Sequence, residues 1–372
     1  MKVAGRQPES ELRSHSNSLR ILAVSALWLG ANDHAFVNAF RRAGHSVHVV
    51  SEDSFFPKWT SRPMRAMRRL ALGAFEYEYN NALRRAALAF NPDLFFVFKG
   101  THVWRRTIEE IKAGGTLAVQ YYPDTGFVDH GKNLIDAIGC YDWIFTTKSA
   151  HLDELPGRFG IRNISFLPHA YDRDTHLRIK LLNKDIGQYG CDVSFIGNVS
   201  SKKLKQMKFL RDRLSGVDLR IWGPSRWSDF DTNGSNVYQG HCVTGLEFAK
   251  AICASKINLG LLYEGNSDAS SSDKTTSRSF EIPACGGFML HERTSEIMEY
   301  FEDGRECGMF SDESELLHKI TYYLENGKER KSVAAAGRRR CLASGHSADD
   351  RVKAVIAKYH EIHSCIQPGD AR

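Results

Sequence analysis

The residues best placed to do chemistry lie between Asp273 and Glu281. A polar loop from Gly265 to Lys274 leads into Thr276-Ser277-Arg278-Ser279-Phe280-Glu281, and Gly286-Gly287 stops what reads as one short helix before the apolar run Phe288-Met289-Leu290. A helix opening out of such a loop presents unpaired backbone amides and the positive end of its dipole, which suits a phosphate. Arg278 adds a fixed cation able to fork onto phosphate oxygens. Glu281, one turn further on, is placed to accept hydrogen bonds from a sugar or ribose hydroxyl. The plainer reading is an ordinary β–α–β element with a salt-bridged surface glutamate, and residue types alone lean slightly towards it.

The elements around this stretch add weight to the phosphate reading. Upstream, the strand-like run Cys191 to Ile196 ends in Gly197-Asn198-Val199-Ser200 and a basic helix with Lys202, Lys203, Lys205 and Lys208. That turn is a second phosphate candidate, with Lys202 or Lys203 as counter-charge, although a solvated basic face would give the same pattern. The first half opens with an apolar run from Leu19 to Ser25, a small-residue loop at Gly30, a helix from Asp33 (a plausible N-cap) to Arg42, and a strand from Ser46 to Val50. Further strands end in polar loops at His102, Asp124, Lys148 and His169. In a parallel sheet such loops gather on one edge, where ligands bind. Each residue alone reads as a cap or turn; their shared edge points to at least one functional residue among them. No G-x-G-x-x-G occurs in the first turn, so there is no dinucleotide fingerprint.

In bulk the 372-residue chain is that of an ordinary globular protein, 42% hydrophobic and 25% charged, long enough for about two domains. Its net charge of +6 suits an anionic ligand and excludes a strong nucleic-acid footprint. Eight cysteines are scattered without C-x-x-C spacing, which argues against a zinc site or disulfide framework and fits a reducing cytosol. No apolar run reaches the roughly 18 residues of a membrane span. Residues 55–69 cluster Lys58, Arg62, Arg65, Arg68 and Arg69 beside Phe55, Phe56 and Trp59. This is either a basic-aromatic surface for anionic lipid or acceptor, or a solvated helix face.

The whole pattern resembles the GT-B glycosyltransferases: α/β, two Rossmann-like domains facing across a cleft, with a terminal helix after the second. Asp273 and Glu281 form a D-x7-E variant of the E-x7-E pattern of retaining members. Thr276-x-Arg278-x-Phe280-Glu281-Ile282-Pro283-Ala284-Cys285-Gly286-Gly287, Tyr300-Phe301-Glu302-Asp303-Gly304-x-Glu306, and His346 followed by Arg351 are similar to the CgeB-like branch. Residues 1–18, which are polar, read as a disordered tail, and 173–190, polar and without strong periodicity, as a linker; the resemblance implies a first acceptor domain at 19–172 and a second donor domain at 191–345. A helix and tail at 346–372 are expected to pack back on the first domain.

It further implies transfer of a sugar from a nucleotide diphosphate sugar, UDP-sugar favoured, to a glycan or small-molecule acceptor. Glu281 would bind the ribose. Gly197, Asn198 and Lys202 or Lys203 would lie near the diphosphate, with the amides of Thr276, Ser277 and Arg278. The Trp222-Gly223 and Gly240-His241 loops would hold the base. Asp273 stands where relatives carry a glutamate contacting the sugar, so sugar contacts are expected to differ. No cofactor and no metal are expected, because helix termini and cations serve the leaving group in this fold. Retention is suggested by the D-x7-E spacing; inversion would need a base, with Asp124, His102 or His34 as candidates. A cytoplasmic enzyme, peripheral at the inner membrane face through 55–69, fits these features. The competing readings are a GT-B-like binding or assembly protein without catalysis and, ranked below it, a UDP-sugar 2-epimerase.

Overall fold

The computed structural model describes residues 18–57, 61–127, 130–230, 236–264 and 273–366. Most of the expected tail (1–17), Lys58 and Trp59 of the basic-aromatic stretch, and Gly265 to Ser272 of the polar loop lie outside the described residues.

The first half builds one parallel sheet. Its elements run β1 (Arg20–Val24), α1 (Asn32–Arg42), β2 (Ser46–Val50), α2 (Arg62–Leu70), α3 (Leu72–Phe90), β3 (Leu94–Phe98) and α4 (Arg105–Lys112). They continue with β4 (Leu117–Tyr122), α5 (Lys132–Ala137), β5 (Trp143–Thr146), α6 (His151–Phe159) and β6 (Ile164–Phe166). The strand order is β2-β1-β3-β4-β5-β6, with Ile21 opposite both Val47 and Leu94. Helices cover both faces, so the strands are near-continuous apolar runs; all six residues of β4 are buried. Alternate residues serve the two cores. Leu22, Val24, Phe95 and Val97 pack with Tyr79 and Leu83 of α3, while Ile21, Phe96 and Tyr121 pack with Phe36 and Phe40 of α1.

The second half repeats the plan: α7 (Asn183–Tyr189), β7 (Cys191–Ile196), α8 (Ser201–Arg213), β8 (Leu219–Trp222), α9 (Gly245–Ala254), β9 (Ser255–Gly260) and α10 (Arg278–Cys285). Then come β10 (Met289–Glu292), α11 (Ser295–Tyr300), β11 (Gly308–Phe310), α12 (Glu313–Glu325) and α13 (Gly327–Ala343). This sheet is ordered β11-β10-β9-β7-β8, again parallel. The last helix, α14 (Ala348–Ile366), returns to the first half. Its Val352, Val355 and Tyr359 complete the core around Phe36 and Phe40. Each such side chain contributes about 1.5–3 kcal/mol.

Two local expectations differ from the structure. Asp33 is not an N-cap: α1 is preceded by Ala31, and the Asp33 carboxylate instead accepts from the Ala26 amide at 2.5 Å. The expected linker carries α7, whose Asp185 accepts from Leu182 N at 3.0 Å and pairs with Lys250 of α9 at 3.0 Å.

The two chain crossings between halves run side by side. Tyr171 N donates to His346 O at 3.1 Å, and Ala348 N donates to Tyr171 O at 2.9 Å. Arg351, buried, binds Pro168 O at 2.8 Å, His169 O at 3.0 Å and Gly345 O at 2.9 Å. His346 stacks over Phe280 of α10 at 4.6 Å. The His346 and Arg351 pair therefore ties the crossing to the sheet edges that carry the site.

Candidate active site

A cleft of about 1180 Å³ lies between the carboxyl edges of the two sheets. Its second-domain wall is built on α10. Phe280, Ile282, Ala284 and Cys285 are buried, which fixes the helix and aims its N-terminus at the cleft. Thr276, Ser277, Arg278 and Glu281 all line the opening. The Thr276 amide is satisfied by Ser279 Oγ at 3.0 Å, and Ser279 Oγ is held in turn by His291 Nε2 at 2.8 Å. Thr276 Oγ1 is buried and has no partner among the described residues.

Arg278 and Glu281, three apart on one helical face, bind one another. The arginine is held further by Ile196 O at the end of β7, 2.9 Å from Nε, and lies 4.6 Å over the Phe248 ring. Glu281 is 2% exposed, and its second oxygen is 3.8 Å from His176 Nε2. Burial lowers the His176 pKa, an effect the neighbouring Glu281 opposes.

Of the two lysines after the Gly197 turn, Lys203 lines the cleft together with Asn198. Lys203 is buried, and burial lowers its pKa against the pull of Asp273, Glu264 and Glu292. Lys202 does not line the cleft. Its ammonium turns to Glu292 and its amide binds Glu264 Oε1 at 2.9 Å, because consecutive helical residues point about 100° apart. Gly197 itself lies beneath the wall, where its carbonyl accepts from Trp227 Nε1 at 2.9 Å.

Asp273 reaches across to the first domain. It meets Lys148 Nζ at 2.5 Å, and that ammonium lies 3.4 Å from His169 Nε2. Burial drives the His169 pKa well down, with Lys148 adding to the effect. Beside this pair, Lys274 Nζ donates to Ser149 Oγ at 3.1 Å.

The first-domain wall is acidic. Asp124 accepts from Lys99 at 2.6 Å and His130 at 3.2 Å. Asp33 and Glu52 also line the cleft, and burial raises the pKa of both. The Asp33 oxygens are taken by Ala26 N at 2.5 Å and His34 N at 3.1 Å, whereas the Glu52 carboxylate has no hydrogen-bond donor among the described residues. Trp28, 43% exposed, stands on this wall.

Of the loop residues expected on one edge, Gly30, Asp124, Lys148 and His169 do line the cleft. His102 does not: its Nδ1 is held by Glu76 at 2.9 Å and its ring stacks on Phe56 at 4.2 Å. His34 also stays off the wall, with Nδ1 buried, and its neighbour Asp33 takes the cleft position. Trp222 is a core residue at 1% exposure. Gly223 is needed for close approach, since a Cβ there would sit 2.5 Å from Gly197 O and 2.6 Å from the Trp227 ring. Gly240 opens onto a separate outer groove and His241 is exposed, so the wall beside α9 is formed by Pro224, Arg226, Val243 and Thr244 instead. Sequence reasoning missed Asp33, Glu52, His176 and Arg226 as cleft residues.

Comparison with known proteins places this geometry. A family model described as Glycosyl transferase-like matches residues 204–357. No curated protein matches the sequence. Among solved structures, the chain is similar to sucrose-phosphate synthase from Thermosynechococcus elongatus, with TM-score 0.67 and 10% identity over 93% of this chain and 100% of that one. It is similar to Anabaena HepE in complex with UDP-glucose, with TM-score 0.61 and 11% identity over 93% and 100%. A UDP-N-acetylglucosamine 2-epimerase described as putative, from Listeria monocytogenes, matches with TM-score 0.55 and 12% identity over 95% and 98%.

Proposed function

From this GT-B fold, two Rossmann-like domains facing across a cleft, we propose that the chain is a glycosyltransferase. It moves a sugar from a nucleotide diphosphate sugar, UDP-sugar favoured, to a glycan or small-molecule acceptor. The observation that carries this reading is the grouping, in one cleft, of the α10 N-terminus, Arg278 and Lys203 with the carboxylates Asp273 and Glu281. In this reading Glu281 accepts from the ribose hydroxyls. Lys203, Arg278 and the amides opening α10 receive the diphosphate, and Asp273 contacts the transferred sugar. The bond from the anomeric carbon to the β-phosphate oxygen breaks as the bond to the acceptor oxygen forms. Preorganised cations and amides stabilise the negative charge that develops on the leaving group. Those cations supply the charge a metal would otherwise bring, which is the support for a metal-independent reaction.

The D-x7-E spacing favours retention, in which the departing phosphate oxygen takes the acceptor proton. In an inverting course Glu52 or Asp124 on the opposite wall would take it. All eight cysteines are unpaired, which supports work in a reducing cytosol.

Thermal unfolding with UDP, GDP, ADP, CMP and their sugars tests the proposal. A ligand at 100 times its Kd adds about 2.7 kcal/mol of stability. A shift confined to the UDP family, with slow UDP-sugar hydrolysis, is expected. No shift with any nucleotide would overturn the reading, and interconversion of free UDP-sugars would replace it with the epimerase. The anomeric configuration of the product, read by NMR, decides between retention and inversion.

A further inference from the structure

Among the described residues, helix α2 is built unlike any other α-helix, with no residue buried. Every residue from Ser61 to Leu70 is exposed, including Met64 at 43%, Met67 at 59% and Leu70 at 89%. At about 100° per residue, these three share one arc with Pro63, while Arg62, Arg65, Arg68 and Arg69 occupy the opposite arc. The helix carries no acidic residue. None of the four arginines has a carboxylate partner among the described residues; Arg68 reaches only Pro57 O, at 3.5 Å. Arg65 and Arg69 lie i,i+4, a like-charge spacing that disfavours a helix in water. So short a helix, with no face buried, draws little stability from the rest of the protein.

The chain ahead of α2 is anchored. Phe55 and Phe56, expected from sequence on the exposed basic-aromatic surface, turn inward and pack on Tyr79 at 5.5 and 5.6 Å. The exposed apolar face is supplied by the methionines and Leu70 instead. Just before Phe55 stand Glu52 and Asp53, which line the cleft. Arg68 Nη1, 3.5 Å from Pro57 O, puts α2 next to the segment that follows these cleft residues.

A partner must satisfy both arcs. A polyanion such as nucleic acid would neutralise the arginines and leave the apolar arc in water. An anionic bilayer accepts both at once, with phosphates for the guanidinium groups and the acyl boundary for Met64, Met67 and Leu70. We propose that α2 is an interfacial helix that docks the protein reversibly on an anionic membrane. The proposal does not depend on the transferase reading.

Co-sedimentation of the full chain with vesicles of phosphatidylcholine alone, or with phosphatidylglycerol added, tests it. Binding to the anionic vesicles only, weakened by salt, is expected. Arg65→Gln/Arg69→Gln should lower partitioning roughly thirtyfold, at about 1 kcal/mol lost per arginine near the surface and a tenfold change per about 1.4 kcal/mol. Met64→Ser/Met67→Ser/Leu70→Ser should abolish it, with an unchanged unfolding temperature showing that the fold is intact. Failure of the wild-type chain to bind anionic vesicles overturns the proposal. So does binding that survives the apolar triple substitution, which would mean simple attraction to any polyanion.

Discussion

Lys203 and Lys202 are neighbours in sequence with different partners. Lys202 is tied to Glu292, whereas Lys203 is buried at the cleft, where loss of water lowers its pKa. A cation held there at a desolvation cost is suited to an arriving diphosphate. Lys203→Met is expected to weaken UDP binding by about 1.5–3 kcal/mol, the range for a charge-assisted hydrogen bond. Uridine affinity and unfolding temperature should stay near wild type. Calorimetry with both ligands checks this, and equal losses for UDP and uridine would move Lys203 off the phosphate. The choice between the two lysines was not legible in the sequence, because it depends on where α8 begins to within one residue. Arg278 and Glu281 were legible, since three-residue spacing on a helix puts both on one face. Glu52, His176 and Arg226 gave no local signal; only the packing of the two halves brings them to one cavity. Trp222 misled because a strand ending in an aromatic residue looks the same whether its ring faces a ligand or a core.

At the level of elements, the loop between β1 and α1 meets the start of α9 across the cleft. Gly30 has φ +96, and a Cβ on it would lie 2.5 Å from Gly245 N. Gly30→Ala is therefore expected to hold the domains apart, raising the radius of gyration in solution scattering and lowering turnover. An unchanged radius would mean that the loop yields and the closure does not rest on this contact. Most strands and helices were legible because a sheet covered on both faces requires continuous apolar runs. Helix α7 was hidden, being polar and without periodicity; it is fixed by its Asp185 contacts to Leu182 and to Lys250 of a distant helix.

Across the whole molecule, buried imidazoles set the acid limit of stability. Burial lowers His151 and His346 to about 4 and also lowers His169, His176 and His291. These groups stay neutral when folded, while the unfolded chain takes up their protons near the ordinary value of 6.5. The unfolded state therefore binds more protons below that value, and stability falls as pH falls, by about 1.4 kcal/mol per unit for each histidine. Raised carboxyls at Asp33 and Glu52 act in the opposite sense, nearer the carboxylate range. Denaturant midpoints should drop between pH about 7 and about 5; a flat profile would show that these rings are hydrated.

Helix α14 has a consequence for synthesis. The first domain is read out early, yet the wall over Phe36 and Phe40 is supplied by Val352, Val355 and Tyr359. On the ribosome the N-terminal half must wait with apolar surface uncovered until the far end of the chain emerges. The second domain's own elements are complete by Ala343, so it can close before that surface is covered.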